Sequence, residues 1–132
     1  MILVTVGTQL PFDRLVRAVD EWAGGREGQE VVAQTGAGEY RPVAMTAHDS
    51  LPPSEFRRLF EAADIIVGHA GIGTILAALE LGKPILVLPR KASLGEQRTD
   101  HQVATAQRFA RVGLVSVAET EVDVGPLLDQ LI

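Results

Sequence analysis

The sequence contains no cysteine. Disulfides, thiolate metal sites and a cysteine nucleophile are therefore excluded. Histidine is scarce as well: His48, His69 and His101 are the only ones. No pair stands at i, i+4 or a similar ligand spacing, and no local carboxylate motif accompanies them, so no metal site is expected. Basic charge is in deficit, with twelve Lys and Arg against seventeen Asp and Glu and a net charge of −5. A nucleic-acid footprint needs a clustered basic surface, and nothing here supplies one. Long apolar runs are also missing. The longest stretch without Asp, Glu, Lys or Arg, Ile65 to Leu79, is broken by Gly68, His69, Gly71 and Gly73. It falls short of the ~20 residues a membrane span needs. The opening MILVTVG has no basic segment ahead of its apolar residues and does not read as a signal peptide. The expected location is the cytoplasm, with any membrane contact made through a partner.

What is present is ordinary globular composition. The chain has 132 residues, 46% hydrophobic and 22% charged, which suits one domain with a real core. Strand and helix patterns alternate. Ile2 to Val6 reads as a strand, followed by a helix opening at Pro11 and stopped by Gly24-Gly25. Val31 to Ala33 is a second strand and Val43 to Thr46 a weaker third. Ser50 to Ser54 is a turn, and Phe56, Leu59, Phe60 and Ala63 mark the next amphipathic helix. Asp64 to Gly68 is a buried strand leading through His69–Thr74 into a helix from Ile75 to Leu81. Pro84 to Pro89 is a further strand, and a loop from Arg90 to Thr99 precedes a helix over about Asp100 to Val112. Leu114 to Val117 and Val124 to Leu131 close the chain as strand and helix. The strand runs are continuously apolar, as in a parallel sheet covered on both faces. The expected fold is α/β, a Rossmann-like doubly wound domain with a mostly parallel sheet. Ligands in such folds sit beyond the carboxyl ends of the strands, so the residues just after each strand carry the information.

Two strand-to-helix turns are glycine-rich: Gly7-Thr8-Gln9, and His69-Ala70-Gly71-Ile72-Gly73-Thr74. Glycine lets backbone approach a ligand, and a helix start offers unpaired N–H groups to a phosphate. Either turn alone is explained by tight packing. Both together, with a threonine in each, favour a diphosphate. The dinucleotide fingerprint fails, because Leu76 stands where its third glycine belongs and Leu88-Pro89-Arg90 ends the next strand without an acid. No G-x-x-x-x-G-K-[ST] run exists. His69 at the mouth of its turn is a candidate phosphate donor, with a bond to nearby backbone as the alternative. A third cluster, Glu96, Asp100, His101 and Gln102, suits sugar hydroxyls. Spacing alone favours a helix cap for Asp100 and a solvated loop for Glu96. No nucleophile triad or paired carboxylates support hydrolysis.

These residues resemble the glycosyltransferase family 28 C-terminal group. Val4-Thr5-Val6-Gly7-Thr8-Gln9 with Phe12-Asp13-Arg14-Leu15 is similar to the opening of its small, single-domain members. His69 to Leu76 with Gly82-Lys83-Pro84 and Pro89-Arg90 is similar to its central signature, and Asp100-His101-Gln102 to its third motif. The small members include PssE-like bacterial exopolysaccharide subunits and the catalytic subunit of a two-part dolichol-pathway N-acetylglucosaminyltransferase. The resemblance implies the donor-binding half of a GT-B glycosyltransferase, with a membrane-associated subunit supplying the acceptor half. It implies a UDP-sugar held by Gly7, Thr8, Gln9, His69, Gly71, Gly73 and Thr74, with Gln102 and His101 addressing the sugar. It implies no metal cofactor, a lipid-linked acceptor, and a general base in the partner. One position departs: the family's ribose-binding glutamate is Ala77 here, with Glu80 three residues on as a substitute on the same helix face. That departure keeps open a non-catalytic, partner-stabilising subunit, and a flavodoxin-like module is the third option. The final helix, with Leu127, Leu128, Leu131 and Ile132, is a candidate face for the partner or for self-association, with ordinary packing as its alternative.

Overall fold

The computed structural model describes residues 1–7 and 10–132 of the chain. Six strands form one sheet: β1 (Ile2–Thr5), β2 (Val31–Gln34), β3 (Thr46–His48), β4 (Ile65–His69), β5 (Ile85–Leu88) and β6 (Val115–Val117). Their order is β3-β2-β1-β4-β5-β6, and every pairing is parallel. Five helices cover the sheet: α1 (Asp13–Ala23), α2 (Pro53–Ala62), α3 (Ile72–Glu80), α4 (His101–Phe109) and α5 (Val124–Leu131). This is the Rossmann-like doubly wound arrangement expected from the alternation of strand and helix.

Strand side chains alternate between the two faces, and the apolar residues divide accordingly. Ile2, Val4, Ala33, Val67 and Leu86 pack with α1 and α5 around Phe12, Leu15, Val19 and Leu128. Leu3, Val32, Ile66, Ile85 and Val87 face α2, α3 and α4 around Phe60, Ile75, Ala78 and Ala106. Because both faces are buried, the central strands have no polar side, which is why their sequences are unbroken apolar runs. The last helix belongs to this packing. Val124 and Leu128 are buried, Leu127 and Leu131 pack against the same core, and only Ile132 of the group is strongly exposed.

Several boundaries differ from the sequence reading. Helix α1 opens at Asp13, not Pro11, because Phe12 takes a non-helical conformation (φ −139°, ψ 61°) and buries its ring beneath Arg90, whose guanidinium carbon lies 4.7 Å from the ring centroid. The carbonyls of Leu10 and Pro11 are bonded to that arginine instead of opening a helix. The third strand is Thr46–His48, fully exposed at the sheet edge, and not Val43 to Thr46. Pro53 is the first residue of α2, so the turn before it is shorter than expected. Helix α3 starts at Ile72, inside the glycine-rich segment.

No helix connects β2 to β3, and α1 compensates with two carboxylates. Asp20, 3% exposed, accepts from the amides of Val43 and Ala44 and from the Tyr40 hydroxyl at 2.6 Å. Asp13 accepts from the amides of Glu39 and Tyr40. The hydrogen bond to Asp20 is the main reason the Tyr40 phenol is pushed up to about 12. Replacing Asp20 with alanine strands these donors, so a loss of ~3 kcal/mol is expected in urea unfolding. The Tyr40 absorbance titration should fall back towards the ordinary tyrosine range in the same variant. A variant as stable as the wild type would show that the loop is held by something else.

Candidate functional site

β1 and β4 are neighbours in the sheet, but their crossovers run to opposite sides and over opposite faces. The edge between their carboxyl ends is therefore left uncovered, the usual ligand position in this architecture. A cleft of about 910 Å³ opens there. Its floor is formed by Thr5, Gly7, His69, Gly71, Gly73 and Thr74, and one wall carries Phe56 and Phe60 from α2.

The two glycine turns meet across the His69 ring. Gly7 has φ +79°, and a Cβ there would lie 2.9 Å from His69 Nε2. A Cβ on Gly71 would come within 3.0 Å of Nδ1 and clash with the ring carbon between the nitrogens. Glycine at both positions is thus required by an imidazole as well as by any ligand. The Gly7 backbone is itself engaged: its N–H donates to Thr5 Oγ1 at 3.4 Å and its carbonyl accepts from Gln34 Nε2 at 3.2 Å. Thr8 and Gln9 lie outside the described residues.

The second turn is more open. Helix α3 has Gly71 as its N-cap, with no side-chain cap, so the amides of its first turn have no capping partner from that residue. A Cβ on Gly73 meets nothing within 4 Å. These amides and the helix dipole favour an anion at this rim. Ala77 and Glu80 lie one turn apart on the same helix, and both line the cleft.

His69 is half-buried, and its environment keeps it neutral. Burial, and then the charge of Arg90, lower its pKa from 6.5 to about 4. Gln102, 8% exposed, accepts from the amides of Ala70 and Arg90 at 3.2 and 3.1 Å, and its own amide group lies 3.1 Å from His69 Nδ1. The side chain expected to address a sugar is thus committed to the ends of β4 and β5.

Two other expected residues stand outside the cleft. Glu96 is held by Arg14 in a two-pronged ion pair, both contacts at 2.9 Å, and also accepts from the Lys91 amide. It is neither a solvated loop residue nor free to hold a sugar hydroxyl, because its oxygens are already used. His101 is exposed on the first turn of α4 and does not line the cleft. Asp100 occupies the N-cap position of α4, but its carboxylate accepts from the Ala92 amide rather than capping the helix.

Sequence reasoning missed Arg90. It is 2% exposed, and its guanidinium donates to the carbonyls of Val6, Leu10, Pro11 and Glu96. It ties the segment after β1 to the end of β5. An arginine directly after an apolar strand was the available signal, but its four acceptors are backbone groups that no sequence pattern marks. Among the described residues, no cluster of three or more His, Cys, Asp or Glu side chains could hold a metal ion. No described helix is long and apolar enough to cross a membrane.

The neutral His69 makes stability depend on pH. Between pH 6.5 and about 4 the unfolded chain binds a proton that the folded chain refuses. Stability contributed by His69 is therefore intact above 6.5 and declines as pH falls through that window, by about 3 kcal/mol in total. Urea unfolding at several pH values should show this slope in the wild type and its loss in His69→Gln. Equal slopes in the two proteins would contradict the assignment.

The site geometry can be set beside known proteins. The family model of the glycosyltransferase family 28 C-terminal domain matches residues 1–128. The chain is 30% identical over 119 residues to "UDP-N-acetylglucosamine transferase subunit ALG13" of Saccharomyces cerevisiae, a match covering 83% of this chain and 55% of the yeast protein. The chain thus spans about half the length of that relative. Among solved structures, the glycotransferase of kitacinnamycin superposes with a TM-score of 0.73 at 23% identity, covering 98% of this chain and 34% of the other. The solution structure of ALG13 gives a TM-score of 0.66 at 20% identity, over 97% of this chain and 83% of that one. At such identities these two likenesses speak for the fold. The family match extends from β1 into α5 and takes in both glycine turns and Gln102. The chain belongs to the family of the glycosyltransferase family 28 C-terminal domain.

Proposed function

We propose that the chain is the donor-binding half of a two-part glycosyltransferase that passes a sugar from a UDP-sugar to a lipid-linked acceptor. The observation that carries this reading is the uncapped start of α3, which faces an open cleft at the sheet's switch point. The diphosphate lies against the amides of Ile72, Gly73 and Thr74, with the Thr74 hydroxyl and the His69 ring beside them. The nucleoside extends along the wall carrying Phe56 and Ala77, where Glu80 is the nearest carboxylate on α3 to meet ribose hydroxyls. As the bond from sugar to diphosphate breaks, negative charge grows on the leaving oxygens. Oriented amides and a helix dipole stabilise that charge without a resident cofactor.

The acceptor and general base are assigned to a separate, membrane-associated subunit at the cytoplasmic face of the membrane, in a polysaccharide or lipid-linked oligosaccharide pathway. Support comes from the yeast relative, which by its name is a subunit of a UDP-N-acetylglucosamine transferase. The chain also matches only a third of a larger glycosyltransferase. Ala77 favours one other reading, a subunit that keeps the fold and stabilises its partner without binding donor.

Thermal unfolding separates the two. A nucleotide bound only to the folded state at a hundred times its dissociation constant stabilises by ~2.7 kcal/mol. UDP or UDP-N-acetylglucosamine should therefore raise the melting temperature by several degrees. Gly73→Phe places a side chain in open space, so it should fold normally and lose this response. Ala77→Glu should strengthen it by restoring a carboxylate over the ribose. Absence of any uridine-nucleotide response, alone or with the partner, would leave the stabilising role. Turnover on a lipid-linked acceptor is expected only in the presence of the partner; turnover by the isolated chain would refute the division of labour.

A further inference from the structure

We propose that Gln102 is a positioning residue that fixes the proton of His69 on Nε2, making the ring a hydrogen-bond donor at the floor of the cleft. The proposal rests on the nucleotide-sugar reading for what the ring donates to. The lock itself is a property of the unliganded chain.

Gln102 Oε1 accepts from two backbone N–H groups, Ala70 at 3.2 Å and Arg90 at 3.1 Å. A backbone N–H can only donate, so the oxygen must face them. Flipping the amide would set an NH2 group against two donors. The NH2 group must then face His69 Nδ1, 3.1 Å away, and it too can only donate. Nδ1 therefore accepts. The single proton of a neutral imidazole is left to Nε2.

The surroundings keep the ring in that state. A second proton on Nδ1 would oppose the Gln102 amide directly. The charge of Arg90, just after β5, also disfavours a second proton on the ring. The other charged groups lining the cleft are Arg57 and Glu61 on α2 and Glu80 on α3. Among the described residues, the β1 turn brings Gly7 and α4 brings Gln102 to the ring. Nε2 lies on the Gly7 side, and among the described residues nothing accepts its hydrogen. The His69 ring lines the cleft, with Nε2 beside Gly7 at its floor. It stands beside the open amides of α3, and together they form a set of donors that carries no full charge.

This assigns the buried glutamine a task different from holding a sugar. It reads the ends of two strands and transmits their position to the imidazole. Its proximity to His69 in space, 33 residues apart in sequence, is created by β4 and β5 pairing in register.

Long-range 1H–15N spectra of the full chain test the lock directly. The expected result is a His69 ring protonated on Nε2 alone from pH 5 to 8. A proton on Nδ1, a mixture of the two forms, or titration near 6.5 would overturn the proposal. Gln102→Glu has the same shape and still accepts from Ala70 and Arg90, but offers no donor to Nδ1. His69 should then take a second proton, with its pKa raised by two units or more. Binding of UDP-N-acetylglucosamine, whose diphosphate does not ionise in this range, should become several-fold tighter at pH 5.5 than at pH 8. The wild type should show no such difference. An unchanged His69 titration in the variant would also overturn the proposal, and if the variant does not fold the wild-type spectra decide alone. A wild type with the expected tautomer but no affinity for the nucleotide sugar would keep the lock and remove the nucleotide reading.

Discussion

One constraint of topology governs the rest of this molecule. β1 and β4 pair side by side, yet their connections depart in opposite directions and over opposite faces of the sheet. No crossover can then seal the carboxyl edge between them. Two strand ends that are distant in sequence arrive within one pleat of each other, and the segments after them must share the same space. His69 fills that space, and the glycines at 7 and 71 are what its ring leaves room for.

Holding this edge in shape requires polar groups to be buried, and each is satisfied. Arg90 is a cation with almost no exposure and no carboxylate bonded to it; backbone carbonyls and the Phe12 ring take up its charge. Desolvation lowers its pKa, and the nearby Glu96 offsets part of this. Glu96 in turn is fixed by Arg14, which also donates to Glu121 and the Pro89 carbonyl. The chain of contacts runs from α1 through the loop after β5 to the segment after β1. Buried networks of this kind are costly when half satisfied, and among the described residues no buried side-chain donor or acceptor lacks a partner.

The five apolar strands and the glycine-rich turn after β4 were legible in the sequence because they are local: apolar runs, β-branched residues and turn glycines act within a few positions; the exposed third strand, with no apolar run, was misplaced. The family motifs were legible for the same reason. The committed roles of Glu96, Gln102 and Arg90 were not, because their partners lie elsewhere in the chain. Arg14 meets Glu96 across 82 residues, and Arg90 meets Val6 across 84. A glutamate in a polar loop looks solvated until the helix that carries its arginine is placed. The missing β2–β3 helix shows the same limit. Asp20 reads as one more polar residue of an amphipathic helix, and only the fold reveals that it holds a loop together.

The character of the donors at the cleft bears on the proposed role of the chain as the donor-binding half of a glycosyltransferase. A full cation at the diphosphate would attract the charged donor and the charged product alike, so much of its contribution would fall on ground-state binding. Interactions present equally before and during reaction do not speed it. Amides and a neutral imidazole attract a resting diphosphate less. Their dipoles are already oriented towards the oxygens on which charge accumulates as the sugar departs, so no reorganisation is needed at that moment. On the proposed function, a subunit that takes up a donor, meets its acceptor on another chain and then releases a nucleoside diphosphate would be served by that balance. The polar work of the site is then done by geometry more than by charge. That explains why so many of its side chains, Gln102, Gln34 and Arg90 among them, face inward to hold backbone instead of outward towards a ligand.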